Sequence, residues 1–174
     1  MPISARPRTG WGCNPGSSCV VAVLAALSAC TSVDVKEAVA LADITSGWFD
    51  AGIVDGKNKI VPSVSFRLRK LPEADLDGVA LNVIFRHPPA EGEDTEAEWD
   101  EVYVQNAEFR EGDQTPMLVL RTEKGYTGEP PQSRLDLLQH SQFRDLRARV
   151  FARYGSTQWV EIGTVDVERQ LLTR

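Results

Sequence analysis

Apolar and polar residues alternate with a period of two in three separate stretches of this chain, and no other feature narrows its fold as much. Successive side chains of a β-strand point to opposite faces, so strict alternation marks a strand with one face buried and the other in water. Val64, Phe66 and Leu68 alternate with Ser65, Arg67 and Arg69, and Val79, Leu81, Val83 and Phe85 with positions that include Asn82 and Arg86. Leu146, Ala148, Val150 and Ala152 alternate with Arg147, Arg149, Phe151 and Arg153. Weaker strand signals cover 39–45, 102–109, 117–122 and 159–167.

Turn chemistry separates these runs: Asp55-Gly56, Asp77-Gly78, Gly112-Asp113 and Gly155-Ser156 all place glycine where a chain reverses. The one stretch with helical spacing is 132–143, where Leu135, Leu138 and Gln142 share a face. A length of 174 residues suits one domain with its own core. The expectation is an all-β chain: a single immunoglobulin-like β-sandwich of about seven strands, with one short helix laid over it.

The beginning of the chain reads differently. Residues 1–19 carry Arg6 and Arg8 and no acid, and they lead into the uncharged run Val20-Val21-Ala22-Val23-Leu24-Ala25-Ala26-Leu27-Ser28-Ala29. Basic, then apolar, then small residues is the order of a secretory signal peptide. Counted from Cys19 the run is too short to span a bilayer, which takes ~20 residues. Its end, Leu27-Ser28-Ala29-Cys30, resembles the lipobox of bacterial lipoprotein precursors. That resemblance implies cleavage before Cys30, a diacylglyceryl group on its thiol, and further acylation, as with palmitate, of the new amino terminus. It also implies a cell-envelope location, in the outer membrane facing the periplasm where the host has two membranes, since Thr31-Ser32 follows the cysteine in place of aspartate. The expected organisation is a signal peptide at 1–29, a lipidated cysteine and tether at 30–38, and the sandwich at 39–174.

Charge and cysteine content fit this scheme. Lys and Arg number 19 and Asp and Glu 25; without Arg6 and Arg8 the remainder carries 17 against 25, a net charge of -8. Such a domain repels phosphate backbones and anionic headgroups, so nucleic acid is not an expected partner and membrane attachment falls to the lipid on Cys30. Cys13, Cys19 and Cys30 are the only cysteines, which leaves the folded part to be held by packing alone.

Residues 60–122 resemble the FxLYD and late-embryogenesis-abundant type of immunoglobulin-like domain. The likeness is carried by Phe66-Arg67-Leu68, by Val79 to Phe85, by Phe109 with the Glu111-Gly112-Asp113-Gln114 turn, and by Leu118 to Leu120. Lys70-Leu71-Pro72-Glu73 stands where those families have an Asn-rich turn. The resemblance implies a sandwich with a binding or accessory role.

Catalytic signatures do not emerge. Seven acids crowd positions 91–101, but without the spacing or the glycine-enforced turn of a calcium loop, and they read as a solvated hairpin loop. His87 and His140 are the only histidines, and no Gly-x-Ser-x-Gly elbow is present. No cofactor and no metal is expected, and the chain reads as a non-enzymatic lipoprotein that binds a protein partner, with a small-molecule or lipid carrier as the alternative and an envelope enzyme third. Two features stand out as partner contacts. Arg147, Arg149, Phe151 and Arg153 would form a basic, aromatic-centred face, the composition enriched at interface hot spots. Tyr126, in Lys124-Gly125-Tyr126-Thr127-Gly128-Glu129-Pro130-Pro131, would be presented on a loop.

Overall fold

The computed structural model describes residues 33–172 apart from Ala90, Glu93 and Glu111. The signal peptide, the lipobox and Cys30 lie outside the described residues. A four-residue helix, α1 (Val35–Ala38), leads into β1 (Val39–Val54) and β2 (Lys57–Lys70); β3 (Gly78–His87) and β4 (Ala97–Glu108) form the next hairpin. Then come β5 (Leu118–Arg121), β6 (Tyr126–Gly128), α2 (Arg134–Gln139), β7 (Arg147–Arg153), β8 (Val160–Asp166) and β9 (Leu171–Leu172).

Two sheets result. The first has the order β5-β2-β1-β9, with β6 also pairing β2, and the second has the order β4-β3-β7-β8. The described residues thus hold nine strands against the seven or so expected. The extra ones are β6 and β9, three and two residues long, too short for any alternation to show.

Where alternation was strict, the structure follows it. Val79, Leu81, Val83 and Phe85 point into the core from β3, as do Ala148, Val150 and Ala152 from β7, all at most 1 % exposed. Val64, Phe66, Leu68 and Trp48, each 0 % exposed, meet them from the first sheet. The Asp55-Gly56 turn also forms, with φ of 51° and 78°, the left-handed pair a two-residue hairpin demands. β1 runs far past position 45 to reach it. Register shifts at Ala42/Thr45 and Asp50/Gly52 break its periodicity, so its burial never alternates cleanly.

Two expectations are corrected. Val35 and Ala38 are 2 % and 5 % exposed, so residues 33–38 of the stretch assigned to a tether already belong to the domain. Asp34 caps α1, its carboxylate accepting from the Lys36 N–H at 3.0 Å. The second helix spans only six residues, opened by a Ser133–Asp136 capping box. It buries Leu137 and Leu138, whereas Leu135 is 57 % exposed and Gln142 lies in solvent beyond its end. A helix this short buries only these two leucines, and Phe143, edge-on to Trp48 at 4.7 Å, carries the chain back to the core.

Candidate functional site

The outer face of the second sheet gathers most of the residues singled out above. Arg147, Arg149, Phe151 and Arg153 alternate with the buried Ala148, Val150 and Ala152 and share one side of β7. The register sets their neighbours: Arg147 lies between Arg86 and Asp166, Arg149 between Ile84 and Thr164, and Phe151 between Asn82 and Glu161. From β4, Glu98, Glu101 and Tyr103 stand beside Arg86, Ile84 and Asn82.

One end of this face is an ion-pair network. Arg147 donates from Nε to Asp166 at 2.7 Å and from Nη1 to Glu96 at 3.4 Å. Arg149 pairs with Glu161 and approaches the second Glu96 oxygen at 3.6 Å, and Arg86 meets Glu98 at 3.3 Å. The hydrogen bond from Arg149 holds the Glu161 carboxyl below the usual carboxylate range, and Asp166 first, then Glu96, keep Arg147 firmly protonated. Three guanidinium groups thus meet four carboxylates, Glu96, Glu98, Glu161 and Asp166, for a local charge of -1. This corrects the expected basic patch: the neighbouring strands supply the neutralising acids. It also corrects the acidic run, because Glu96 leads into β4 and Glu98, Asp100 and Glu101 lie within that strand.

The other end is aromatic. Arg153 lies over the Trp159 ring at 4.7 Å, and Tyr103 meets Trp159 edge-on at 6.0 Å and 78°. Arg149 sits 5.5 Å from the Phe151 ring, linking the two ends. Tyr103 is 53 % exposed. Arg153 has no carboxylate partner among the described residues, and its Nε is buried without an acceptor. Of the four β7 residues, then, Arg153 joins an aromatic cluster, Phe151 lies beside Arg149, and Arg147 and Arg149 are paired with carboxylates of the domain. Tyr103 and Trp159 complete the cluster. Tyr103 could have been read as outward-facing from its position between Val102 and Val104, whereas nothing local marks Trp159.

Tyr126 does not stand on a loop. It lies in β6 and packs on Phe143 at 4.9 Å, Trp99 at 5.3 Å and Trp48 at 5.4 Å, while its hydroxyl accepts from the Arg144 N–H at 3.1 Å. The row continues to His87, which meets Trp99 edge-on at 5.1 Å, and Lys124 lies 4.3 Å over Trp99. This cluster closes one side of the sandwich.

The chain matches no protein family, no curated protein and no solved structure.

Proposed function

We propose that this chain is a non-enzymatic cell-envelope lipoprotein that presents its immunoglobulin-like sandwich to a protein partner, as an accessory subunit of an envelope complex. The observation that carries the docking role is the cluster of Tyr103, Arg153 and Trp159 on the outer face of the second sheet. Arginine with tyrosine and tryptophan is the composition of interface hot spots, and an arginine already stacked on a ring loses little freedom when a partner carboxylate meets it. The envelope assignment rests on the leader and on Leu27-Ser28-Ala29-Cys30. Because Val33 packs against the core and Asp34 caps α1, lipid on Cys30 would leave a leash of three residues, ~10 Å at full extension.

Docking is favoured over a carrier by the filling of the core. A carrier needs an apolar cavity of ~300 Å³ or more, and the space between these sheets is taken by Trp48, Phe66, Leu81 and Phe85, each 0 % exposed.

Two measurements test the reading. Wild-type protein takes up labelled fatty acid and Cys30→Ser does not; export and cleavage without label would overturn the lipoprotein assignment. Cross-linking in membranes, read by mass spectrometry, identifies the partner captured by the wild type. Trp159→Ser with Tyr103→Ser is expected to abolish that capture while circular dichroism stays unchanged, whereas undiminished capture by the folded variant would remove this face.

A further inference from the structure

We infer, resting on the lipoprotein reading above, that the partner of the Tyr103, Arg153 and Trp159 cluster is a protein held in the same membrane and met close to the lipid headgroups. The cluster lies at the α1 end of the sandwich. β1 runs beside β8 in the same direction, since Leu41 lies against Gly163 and the Ser46 hydroxyl donates to the Asp166 carbonyl at 2.7 Å. α1, which precedes β1 and packs on β8, therefore sits at the start of that strand. Val160 pairs with Ala152, and Ala80 with Arg153, which brings Arg153 and Trp159 to this end. The start of β3 is here as well, because Lys70, paired with Val39, donates from its ammonium to the Leu76 carbonyl at 3.2 Å. Tyr103 stands opposite Asn82, four residues into β3 from Gly78, or ~13 Å along the strand. The other end is the Asp55-Gly56 hairpin, up to ~50 Å away along β1.

A leash of three residues before α1 keeps this end at the bilayer and leaves the hairpin far from it. Its ~10 Å and the ~13 Å along β3 place the cluster roughly 25 Å from the headgroups. A globular domain of about 100 residues has a radius of gyration of ~13 Å, so a partner seated on the cluster fills the gap down to the membrane. Lipid itself is a poor occupant. A chain of net charge -8 beyond Ala29 repels anionic headgroups, and Glu108 and Glu161 stand at the same end of the sheet. A freely diffusing protein is a poor occupant too, because three side chains fall far short of the roughly 20–30 residues a side of a stable interface. Holding both proteins on one surface makes up the difference, by an effective concentration on the order of millimolar. Arg153, whose Nε lacks an acceptor, then meets a carboxylate of the partner, and Tyr103 and Trp159 cover an apolar side chain beside it.

The test uses the chain purified from membranes and reconstituted in vesicles of phosphatidylethanolamine and phosphatidylglycerol that carry an acceptor dye on the headgroup. No cysteine follows Cys30, so a donor dye is placed at Ser156→Cys, in the exposed turn before Trp159, or at Lys57→Cys, in the hairpin. Energy transfer is expected to be several-fold stronger from Ser156→Cys. A chain that does not float with the vesicles sinks the lipid anchor itself, whereas flotation with equal or reversed transfer overturns only the inference. A photo-crosslinker replacing Tyr103 is expected to capture a protein in membranes stripped of peripheral proteins with carbonate. That capture is expected to fall several-fold when a Gly/Ser spacer of ~20 residues, with ~25 Å of added reach, follows Ser32. Crosslinks to lipid alone, a partner lost in the carbonate wash, or capture undiminished by the spacer would overturn the proposal; no capture even before the wash overturns the docking role with it.

Discussion

Glu96 reaches Arg147 across the second sheet, its Oε1 lying 3.4 Å from Nη1, while its other oxygen faces Arg149 at 3.6 Å. One carboxylate thereby joins the two charge anomalies of the chain, the acidic run before β4 and the arginine-rich β7. The Glu96 side chain is only 18 % exposed, and the two guanidinium groups are about a third exposed, so water screens the network incompletely.

Glu96→Gln keeps the shape and removes the charge. It is expected to lower stability by ~0.5–1 kcal/mol, read as a lower urea midpoint at constant slope, with the difference shrinking as salt is added. Arg147→Ser is expected to behave likewise and to leave partner capture intact. Equal midpoints at low salt would show that the network contributes nothing to the fold.

His87 gives the domain a pH dependence. It is 8 % exposed, with Nδ1 3.0 Å from the Asp145 carbonyl oxygen. Burial pushes its pKa below the ordinary histidine value; the Asp145 bond opposes this, and the charges of Arg144 and Lys124 add to the depression. Above pH ~6.5 the ring is neutral in both folded and unfolded chains, so it contributes no slope. As pH falls through that value the unfolded chain takes up the proton first and stability drops, levelling once the folded form also protonates. His87→Gln is expected to flatten urea midpoints between pH ~7.5 and ~5.5 relative to the wild type. Parallel profiles would remove His87 as their source.

Tyr126 is expected to matter for folding and not for binding. Tyr126→Phe leaves the Arg144 N–H without its acceptor and is expected to cost ~0.5–1.5 kcal/mol, with partner capture unchanged. Trp48→Ala, at a fully buried position beneath the same cluster, is expected to cost ~3–5 kcal/mol. Capture lost in a folded Tyr126→Phe protein would restore this residue as a contact.

Gly125 stands where β6 approaches β2. A Cβ there would press on the Ile60 carbonyl oxygen and come 2.8 Å from Val61 Cγ1. Because the carbonyl is backbone already committed to the sheet, it cannot yield as a side-chain tip would. Gly125→Ala is expected to cost ~1–3 kcal/mol in thermal or urea unfolding. By contrast Gly92, with open space around its Cβ position, is predicted to tolerate alanine better, limited only by its positive φ; a smaller loss at Gly125 than at Gly92 would contradict this account.

The sequence by itself determined which residues of β3 and β7 face inward, where the Asp55-Gly56 hairpin turns, and that two half-buried layers must meet over a common core. These are local properties: alternation fixes the two faces of a strand, and burying the apolar face decides which one lies inside. Only the tertiary structure decided what stands beside each outward residue. Arg147 finds Glu96, 51 positions earlier, because β3 lies between β4 and β7 in the sheet. Trp159 meets Tyr103 across the same sheet, and Tyr126 meets Trp48 because β6 and β1 both pair with β2. Strand order is set by the packing of the whole chain, so an outward-facing arginine looks the same in the sequence whether its neighbour is water or a carboxylate.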